Sequence, residues 1–229
     1  MRKHITSLAI IHIFIALLIL FVHLFCFNLS FYKQQFVKYD VAGEIGISDS
    51  ELNQSMQVLL DYLQDKRSDM AITVTIDSQR QQMFNDREEQ HMVDVKNLYS
   101  GAMNVAYSAV VSIGIVIYSF LQDRRKQEDS LTFSLQEGLM IIGLVFGFVV
   151  LYAVIDFNGF WTSFHRMFFS NDLWLLDPAT DNMILMLPEG LFNALVLRIV
   201  VSSLAVVLVF IAILAYRLRR RKYDTHRFI

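Results

Sequence analysis

Four long apolar runs set the reading of this chain. Residues 5–31, 98–121, 139–155 and 199–216 contain no Asp, Glu, Lys or Arg. A helix crossing a bilayer needs about 20 predominantly apolar residues, so each run is long enough to span or nearly so, and Leu135 and Phe157 flank and extend the third. The pattern predicts transmembrane helices over residues 5–31, 98–121, 135–156 and 191–216. Residues 122–134 are left as a loop and 217–229 as a basic tail. The first run exceeds the roughly 7–15 residues of a signal-peptide core and no A-x-A-like site follows it, so it is read as a retained helix.

Between the spans the period changes. Ser48-Asp49-Ser50-Glu51 has the form of a capping box, in which Ser48 and Glu51 each satisfy a free amide at a helix start. Leu52, Met56, Leu59, Leu60 and Leu63 follow at helical spacing. Residues 70–77, MAITVTID, alternate Met70, Ile72, Val74 and Ile76 against smaller or polar residues, which predicts a half-buried strand. Residues 37–47 are the expected source of its partners. Residues 32–97 therefore read as a compact α+β cap. From Asp86 onward, early acidic residues and the absence of Pro predict one continuous helix, residues 86–121, running into the second span.

The segment 157–190 is an aromatic-rich loop. Phe157, Phe160, Trp161, Phe164 and Phe168 form a stripe at helical spacing, as expected of a short helix lying at a membrane surface. Pro188-Glu189 suits the first turn of the fourth long helix.

Charge orients these elements. Arg2 and Lys3 precede the first span, Arg124-Arg125-Lys126 fill the second connection, and Arg217 to Lys222 follow the last span. Basic residues accumulate on the cytoplasmic side, so both termini are expected in the cytoplasm, with residues 32–97 and 157–190 outside. The cap segment carries 12 acidic against 7 basic residues, in keeping with that side. Composition agrees: 55% of the 229 residues are hydrophobic and 18% charged, with a mean hydropathy of +0.42. The fold class predicted is mainly α, a polytopic membrane protein with four transmembrane helices and a small extracytoplasmic α+β cap.

Candidate chemistry is sparse. Cys26 is the single cysteine, which excludes an internal disulfide and a thiolate metal cage. No H-E-x-x-H or G-x-S-x-G occurs, so neither a zinc site nor a serine nucleophile is expected, and no cofactor. Charge-free span cores disfavour ion-coupled transport. The basic tail fits anionic lipid, with no support for nucleic-acid binding. Of the six histidines, His12 and His23 lie in the first span and read as neutral side chains bonded to neighbouring helices, while His4 and His226 read as solvated tail residues. His91 and His165 alone face outside, and topology puts both at one membrane surface. Asp94 shares a helical face with His91, where it is positioned to orient the ring or raise its basicity. His165 has Arg166, Asn171, Asp172, Asp177 and Asp181 as polar neighbours in sequence.

Two stretches resemble a known family. EEQHMVDVKNLYSG, leading into the second span, and FHRMFFSNDLWLLDPATDNMILMLPEGLF, ahead of the fourth, are similar to the paired motifs of the lipoprotein intramolecular transacylases, Lit. The resemblance covers topology, loop lengths and both motifs, while the cap before Asp86 carries little signature. It implies a bacterial cell-membrane enzyme, here expected as a monomer, that acts on the N-terminus of a diacylated lipoprotein within the membrane lipid. The reaction implied moves the sn-2 acyl chain of the diacylglyceryl-cysteine to the cysteine α-amine and leaves a lyso-form lipoprotein. It assigns catalysis to His91 and His165, in a reaction zone between cap and membrane. Trp161, Phe164, Phe168 and Trp174 suit the aromatic wall of that zone, and Asp94, Arg166, Asn171, Asp172 and Asp181 are its candidate orienting or substrate-binding residues. The alternative from another class is a non-enzymatic four-helix scaffold or sensor with an extracytoplasmic cap.

The orientation is testable by labelling. Cysteines introduced at Ser50 and Thr180 are expected to react with an impermeant thiol reagent in intact cells, and one at Ser130 to stay unlabelled. Labelling of position 130 would reverse the orientation drawn from the basic residues.

Overall fold

The computed structural model describes residues 2–126 and 130–226. The expected loop residues 127–129 and the last residues of the basic tail, 227–229, lie outside the described residues. In chain order the elements are α1 (Arg2–Cys26), α2 (Leu29–Lys38), α3 (Val41–Ile45), α4 (Asp49–Leu63), β1 (Thr73–Ile76), β2 (Gln79–Gln82), α5 (Asp86–Lys126), α6 (Ser130–Ile155), α7 (Phe157–Phe168), α8 (Asn182–Met186) and α9 (Glu189–His226). The chain is mainly α, and among the described residues four helices, α1, α5, α6 and α9, are long and apolar enough to cross a membrane. Chain contacts divide it into two compact units. One holds the chain up to Val22, Met103–Ile155 and the chain from Arg198 onward; the other holds His23–Ala102 and Asp156–Leu197.

The described residues of the first unit are all helical. Ile10 and Phe14 of α1 pack on Leu131, Leu135 and Ile142 of α6. Ala16 of α1 meets Ala106 and Ala109 of α5, small residues that let helix backbones approach closely. Polar groups in the unit are paired across helices. The Val105 carbonyl of α5 can only accept, so His12 Nε2 donates to it at 3.1 Å, leaving Nδ1 to accept from Ser112 Oγ at 2.8 Å. His12 is thus bonded to a neighbouring helix, as expected. Asp123 near the end of α5 accepts from Arg2 at 2.9 Å, from Ser130 Oγ at 2.5 Å and from Leu131 N at 2.7 Å, capping α6 from the preceding helix. His4 is not merely a solvated tail residue: its Nδ1 lies 2.9 Å from Glu137 of α6, and Ser7 Oγ donates to the same carboxylate at 2.5 Å. Ser130 is buried in this cluster, which makes exposed Arg124 the better position for the labelling test on the side expected to be cytoplasmic.

The second unit carries the cap. The expected span 5–31 is cut short: α1 ends at Cys26, and Asn28 accepts from Phe31 N at 3.3 Å to start α2. His23 bonds Tyr99 Oη at 2.7 Å. At α4 the capping box forms in altered shape. Ser48 Oγ accepts from Glu51 N at 3.3 Å, but Glu51 receives the Ser48 hydroxyl at 2.7 Å and reaches across to Thr75 N at 3.0 Å. The box thereby ties α4 to β1.

The strand expected over residues 70–77 forms over Thr73–Ile76, with Val74 and Ile76 buried. Its partner is not residues 37–47, most of which lie in α2 and α3. It is β2, paired antiparallel from Thr73↔Gln82 to Ile76↔Gln79. Asp77 and Ser78 join the strands with φ of 48° and 68°, the two left-handed residues of a tight hairpin turn. All four residues of β2 are exposed and polar, so no hydrophobic alternation marked it. Gly46 ends α3 at φ 78°, where an added Cβ would also stand 2.4 Å from the Asp77 carboxylate. The core joins Phe31, Leu52, Met56, Leu59, Met83, Met186 and Leu191 from cap helices, hairpin, α8 and α9.

The long helix α5 starts at Asp86, as predicted, and runs past residue 121 to Lys126, absorbing the front of the expected loop. Likewise α9 runs unbroken through the first part of the expected tail. A second capping box starts α5: Glu88 N donates to Asn85 Oδ1 at 3.0 Å, and Asn85 N to Glu88 Oε2 at 2.7 Å. The other Glu88 oxygen accepts from Met183 N at 2.5 Å, fixing the start of α8. Glu88 is fully buried, and burial raises its pKa. Replacing it by Ala strands two buried amides, so Glu88→Ala is expected to lower unfolding stability by about 2–4 kcal/mol. A denaturation midpoint unchanged from the parent would show that the Asn85 and Met183 amides find other acceptors.

Candidate active site

The α7 helix begins where Asp156 accepts from Gly159 N at 2.8 Å. The expected aromatic stripe follows, and His165 comes one turn after Trp161. Its Nδ1 lies 2.8 Å from the Trp161 carbonyl. A carbonyl accepts only, so Nδ1 carries the proton and Nε2 presents a lone pair. Rings enclose the imidazole. Trp161 and Phe164 meet it edge-to-face at centroid distances of 5.0 and 5.6 Å, Phe169 is tilted at 5.6 Å, and Trp174 stacks at 4.9 Å. Trp161 is held in turn by Phe192 of α9 at 4.5 Å and stacks with Phe157 and Phe164.

His91 comes from α5. Its ring centroid lies 6.0 Å from that of His165, and Phe169 stands edge-on to it at 5.3 Å. The two histidines are only 7% and 8% exposed. His91 Nδ1 is buried with no hydrogen-bond partner among the described residues. A buried N–H left unbonded is rarer than a bare acceptor, which favours the tautomer with the proton on Nε2. The pair then presents one lone pair and one N–H.

Asp94 does not take the part of an orienting partner bonded to His91. Its carboxylate accepts from Asn171 Nδ2 at 2.8 Å. Asn171 also receives Leu173 N at its side-chain oxygen and Trp174 Nε1 at its carbonyl, at 3.2 and 2.9 Å. Arg87, one turn before His91, donates to the Asp172 carbonyl and lies 3.8 Å from the Asp172 carboxylate. Residues 171–174 are thus strapped to α5 on both sides of His91.

Electrostatics follow burial. Loss of water pushes His91 down to about 4, and the His165 imidazole and Arg87 push the same way; Asp94 pulls upward and loses. Asp94 thus raises His91 as expected, but desolvation outweighs one carboxylate already engaged by an amide, and the net shift is downward. Burial also lowers His165, opposed by its bond to Trp161. Both imidazoles are neutral at pH 7.

Of the other expected residues, Arg166 and Phe168 are exposed, with Phe168 packed on Phe164 at 4.9 Å. Asp181 is buried in a separate network, accepting from Asn85 Nδ2 and Asp177 N at 2.7 Å each. Sequence reasoning did not assign Phe169, Arg87 or Phe192 to the site. Phe169 follows His165, and Arg87 precedes His91, by four residues, so helical spacing marked both. Phe192 had no such signal. Among the described residues no three His, Cys, Asp or Glu side chains gather as metal ligands.

A family model described as "Lipoprotein intramolecular transacylase Lit" matches residues 7–192. Among solved structures, the chain is similar to the membrane-integral lipoprotein intramolecular transacylase Lit of Bacillus cereus, determined in meso. The TM-score is 0.75 at 20% identity, covering 96% of this chain and 98% of that one. Structures of the same protein with a histidine-to-arginine and a histidine-to-alanine mutation give TM-scores of 0.71 and 0.66 at 20% and 19% identity. They cover 98% and 96% of this chain, and 95% and 96% of theirs. No curated protein matches.

The depressed His91 predicts a pH-dependent stability. The unfolded residue protonates near 6.5 and the folded one near 4. Between these values the unfolded chain binds the extra proton, so stability falls as pH drops through 6.5 and levels off near 4. His91→Gln is expected to remove a loss on the order of 3 kcal/mol across that window. Equal acid destabilisation of parent and variant, measured by thermal unfolding in detergent, would mean His91 is not held neutral.

Proposed function

The chain belongs to the lipoprotein intramolecular transacylase family, and from that premise we propose that His91 and His165 carry the acyl transfer. As a family member it is a multi-pass membrane acyltransferase, which sets aside a non-enzymatic scaffold. The substrate is a lipoprotein whose N-terminal cysteine bears a diacylglyceryl thioether and a free α-amine. The sn-2 acyl chain leaves the glyceryl oxygen for that amine. What supports the roles of the two histidines is their pairing: neutral imidazoles of opposite tautomer, 6.0 Å apart between ring centroids, inside an aromatic shell.

The steps follow from the protons. An α-amine has an ordinary pKa of about 7.7–8.0, so much of it is already uncharged near neutrality. His165 Nε2 accepts a proton from the nitrogen as it attacks the ester carbonyl. The carbonyl oxygen becomes an oxyanion, which His91 Nε2–H stabilises as a hydrogen-bond donor, and the imidazolium of His165 protonates the departing glyceryl oxygen. A C–N bond forms, a C–O bond breaks, and one proton passes in net from nitrogen to oxygen. Giving up that proton leaves His165 neutral again, and His91 keeps its own throughout.

Amine and ester belong to one molecule. Their union closes a ring through nitrogen, Cα, Cβ, sulfur, two glyceryl carbons, oxygen and the carbonyl carbon. Rings of that size close poorly in solution, and a site that folds the substrate supplies the missing orientation. No acyl-enzyme is required. Trp161, Phe164, Phe169 and Trp174 are the walls against which the acyl chain and glyceryl group pack. Since one chain provides both imidazoles, a monomer suffices. The basic residues flanking the spans support cytoplasmic termini and a site at the extracytoplasmic face of the bacterial cell membrane.

Co-expression with a diacylated lipoprotein, followed by mass spectrometry of its N-terminal peptide, tests the reaction. The expected product is an N-acyl, monoacylglyceryl cysteine. His91→Gln and His165→Gln are each expected to cut its formation by about 10²-fold or more. Unmodified substrate beside well-expressed parent protein would refute the activity, and undiminished product from either variant would refute that histidine's role.

A further inference from the structure

The rings around His165 are not equivalent. Trp161 and Phe164 meet the imidazole at interplanar angles of 72° and 82°, and Phe169 at 44°. Trp174 lies within 29° of parallel, with centroids 4.9 Å apart. An indole stacked face-on turns the negative face of its quadrupole toward the imidazole. A neutral ring gains little from this, but a cationic ring gains substantially, most of all where water is excluded.

Trp174 is held in place by bonds that do not involve His165. Its Nε1–H donates to the Asn171 carbonyl at 2.9 Å, and the Asn171 side chain receives Leu173 N at 3.2 Å. Asn171 Nδ2 is tethered to Asp94 on α5 at 2.8 Å, and Arg87 of the same helix holds the next residue, Asp172. The loop thus keeps an indole plane at a fixed tilt over the imidazole.

The charged neighbours of His165 explain why such a face matters. From α5 the facing group is His91, with Asp94 and Arg87 around that ring. The loop contributes Asp172, which is engaged by Arg87, and α7 itself contributes Arg166, which is exposed. From α9, Phe192 packs behind Trp161. Among the described residues no carboxylate bonds His165, whose Nδ1 is engaged by the Trp161 carbonyl. A proton arriving on Nε2 meets no counter-ion there.

We propose that Trp174 is a positioning residue for proton transfer: its indole face stabilises the imidazolium that His165 becomes on accepting the amine proton, and Asn171, tethered to Asp94, sets that face. The proposal rests on the reading of His165 as proton acceptor. The proton leaves the attacking nitrogen and resides on His165 Nε2 until it passes on, so no further reactant is needed. Trp174 thereby supplies to the cation what an aspartate supplies in other acid–base pairs.

The chain has two tryptophans, so a Trp161→Phe background leaves Trp174 as the only one. Fluorinated tryptophans incorporated there weaken the ring quadrupole stepwise at nearly constant shape. His165 is then titrated by NMR of labelled imidazole in detergent, and transacylation is followed against pH. Each added fluorine is expected to lower the His165 pKa, by about half a pH unit or more over the series. The acidic limb of kcat should move to lower pH and its plateau should fall, with KM little changed. Asn171→Ala, which frees the indole, should lower the same pKa, while Trp174→Phe should restore most of what Trp174→Leu loses. A His165 pKa constant across the fluorinated series overturns the proposal. A parent protein that yields no N-acylated lipoprotein fails the transacylase reading instead, and the titration still decides the role of Trp174.

Discussion

Two imidazoles taken out of water side by side cannot both be charged, and the rest of this site follows from that constraint. Each proton added to one ring is opposed by lost hydration and by the neighbouring ring. The structure accepts this cost instead of offsetting it with a carboxylate. Asp94, the nearest candidate, is spent on Asn171. What remains is a pair of neutral rings whose roles are set by their local bonds. His165 has its Nδ1–H committed to a backbone carbonyl, and His91 has a bare, buried Nδ1. A base at neutral pH need not start charged; it needs one available lone pair, and beside it one N–H to bond the developing oxyanion.

The scaffold that holds the pair is correspondingly polar at its edges and apolar at its centre. Helix α5 starts in a capping box in which Asn85 and Glu88 satisfy each other, and Glu88 continues to the start of α8. Along the next two turns come Arg87, His91 and Asp94, so one helical face carries both straps and the histidine between them. The α7 helix supplies the second ring and most of the aromatic wall. Its bond from His165 to Trp161 is local, one turn back on the same helix, and it survives small shifts of α7 that would break a longer-range contact.

Much of this was legible in the sequence, for identifiable reasons. Charge-free runs marked the four long helices, because an apolar stretch of about 20 residues without Asp, Glu, Lys or Arg is matched to the thickness of a bilayer's hydrocarbon core. The start of α5 at Asp86 and the extent of α7 followed from acidic first-turn residues and from the aromatic period. The break between α1 and α2 was hidden because Asn28, a capping residue, lies inside a run with no charge to mark its end. The hairpin was missed because β2 is four exposed polar residues with no alternation to detect. Topology brought His91 and His165 to one surface, but their spacing, the contact between Trp161 and Phe192, and the strap from Arg87 to Asp172 are contacts distant in sequence. Periodicity carries no information about those. The net shift of His91 was hidden in the same way: Asp94, which raises it, is visible at i+3, whereas burial, which outweighs it, is a property of the folded chain.

The dry site also bears on which reaction it favours. An ester activated beside a base in open water would be hydrolysed, since water outnumbers any amine. Here both rings are more than nine-tenths buried under aromatic walls and a strapped loop, so few water molecules can compete for the acyl group. The amine needs no such access, because it arrives on the same molecule as the ester. Exclusion of water and intramolecular delivery of the nucleophile therefore work together: the first would starve a hydrolase of its co-substrate, and the second makes that loss harmless to an acyl transfer within one chain. In the roles proposed for it, a neutral histidine pair, slow as a base toward bulk water yet adequate toward an amine held against it, suits those two conditions.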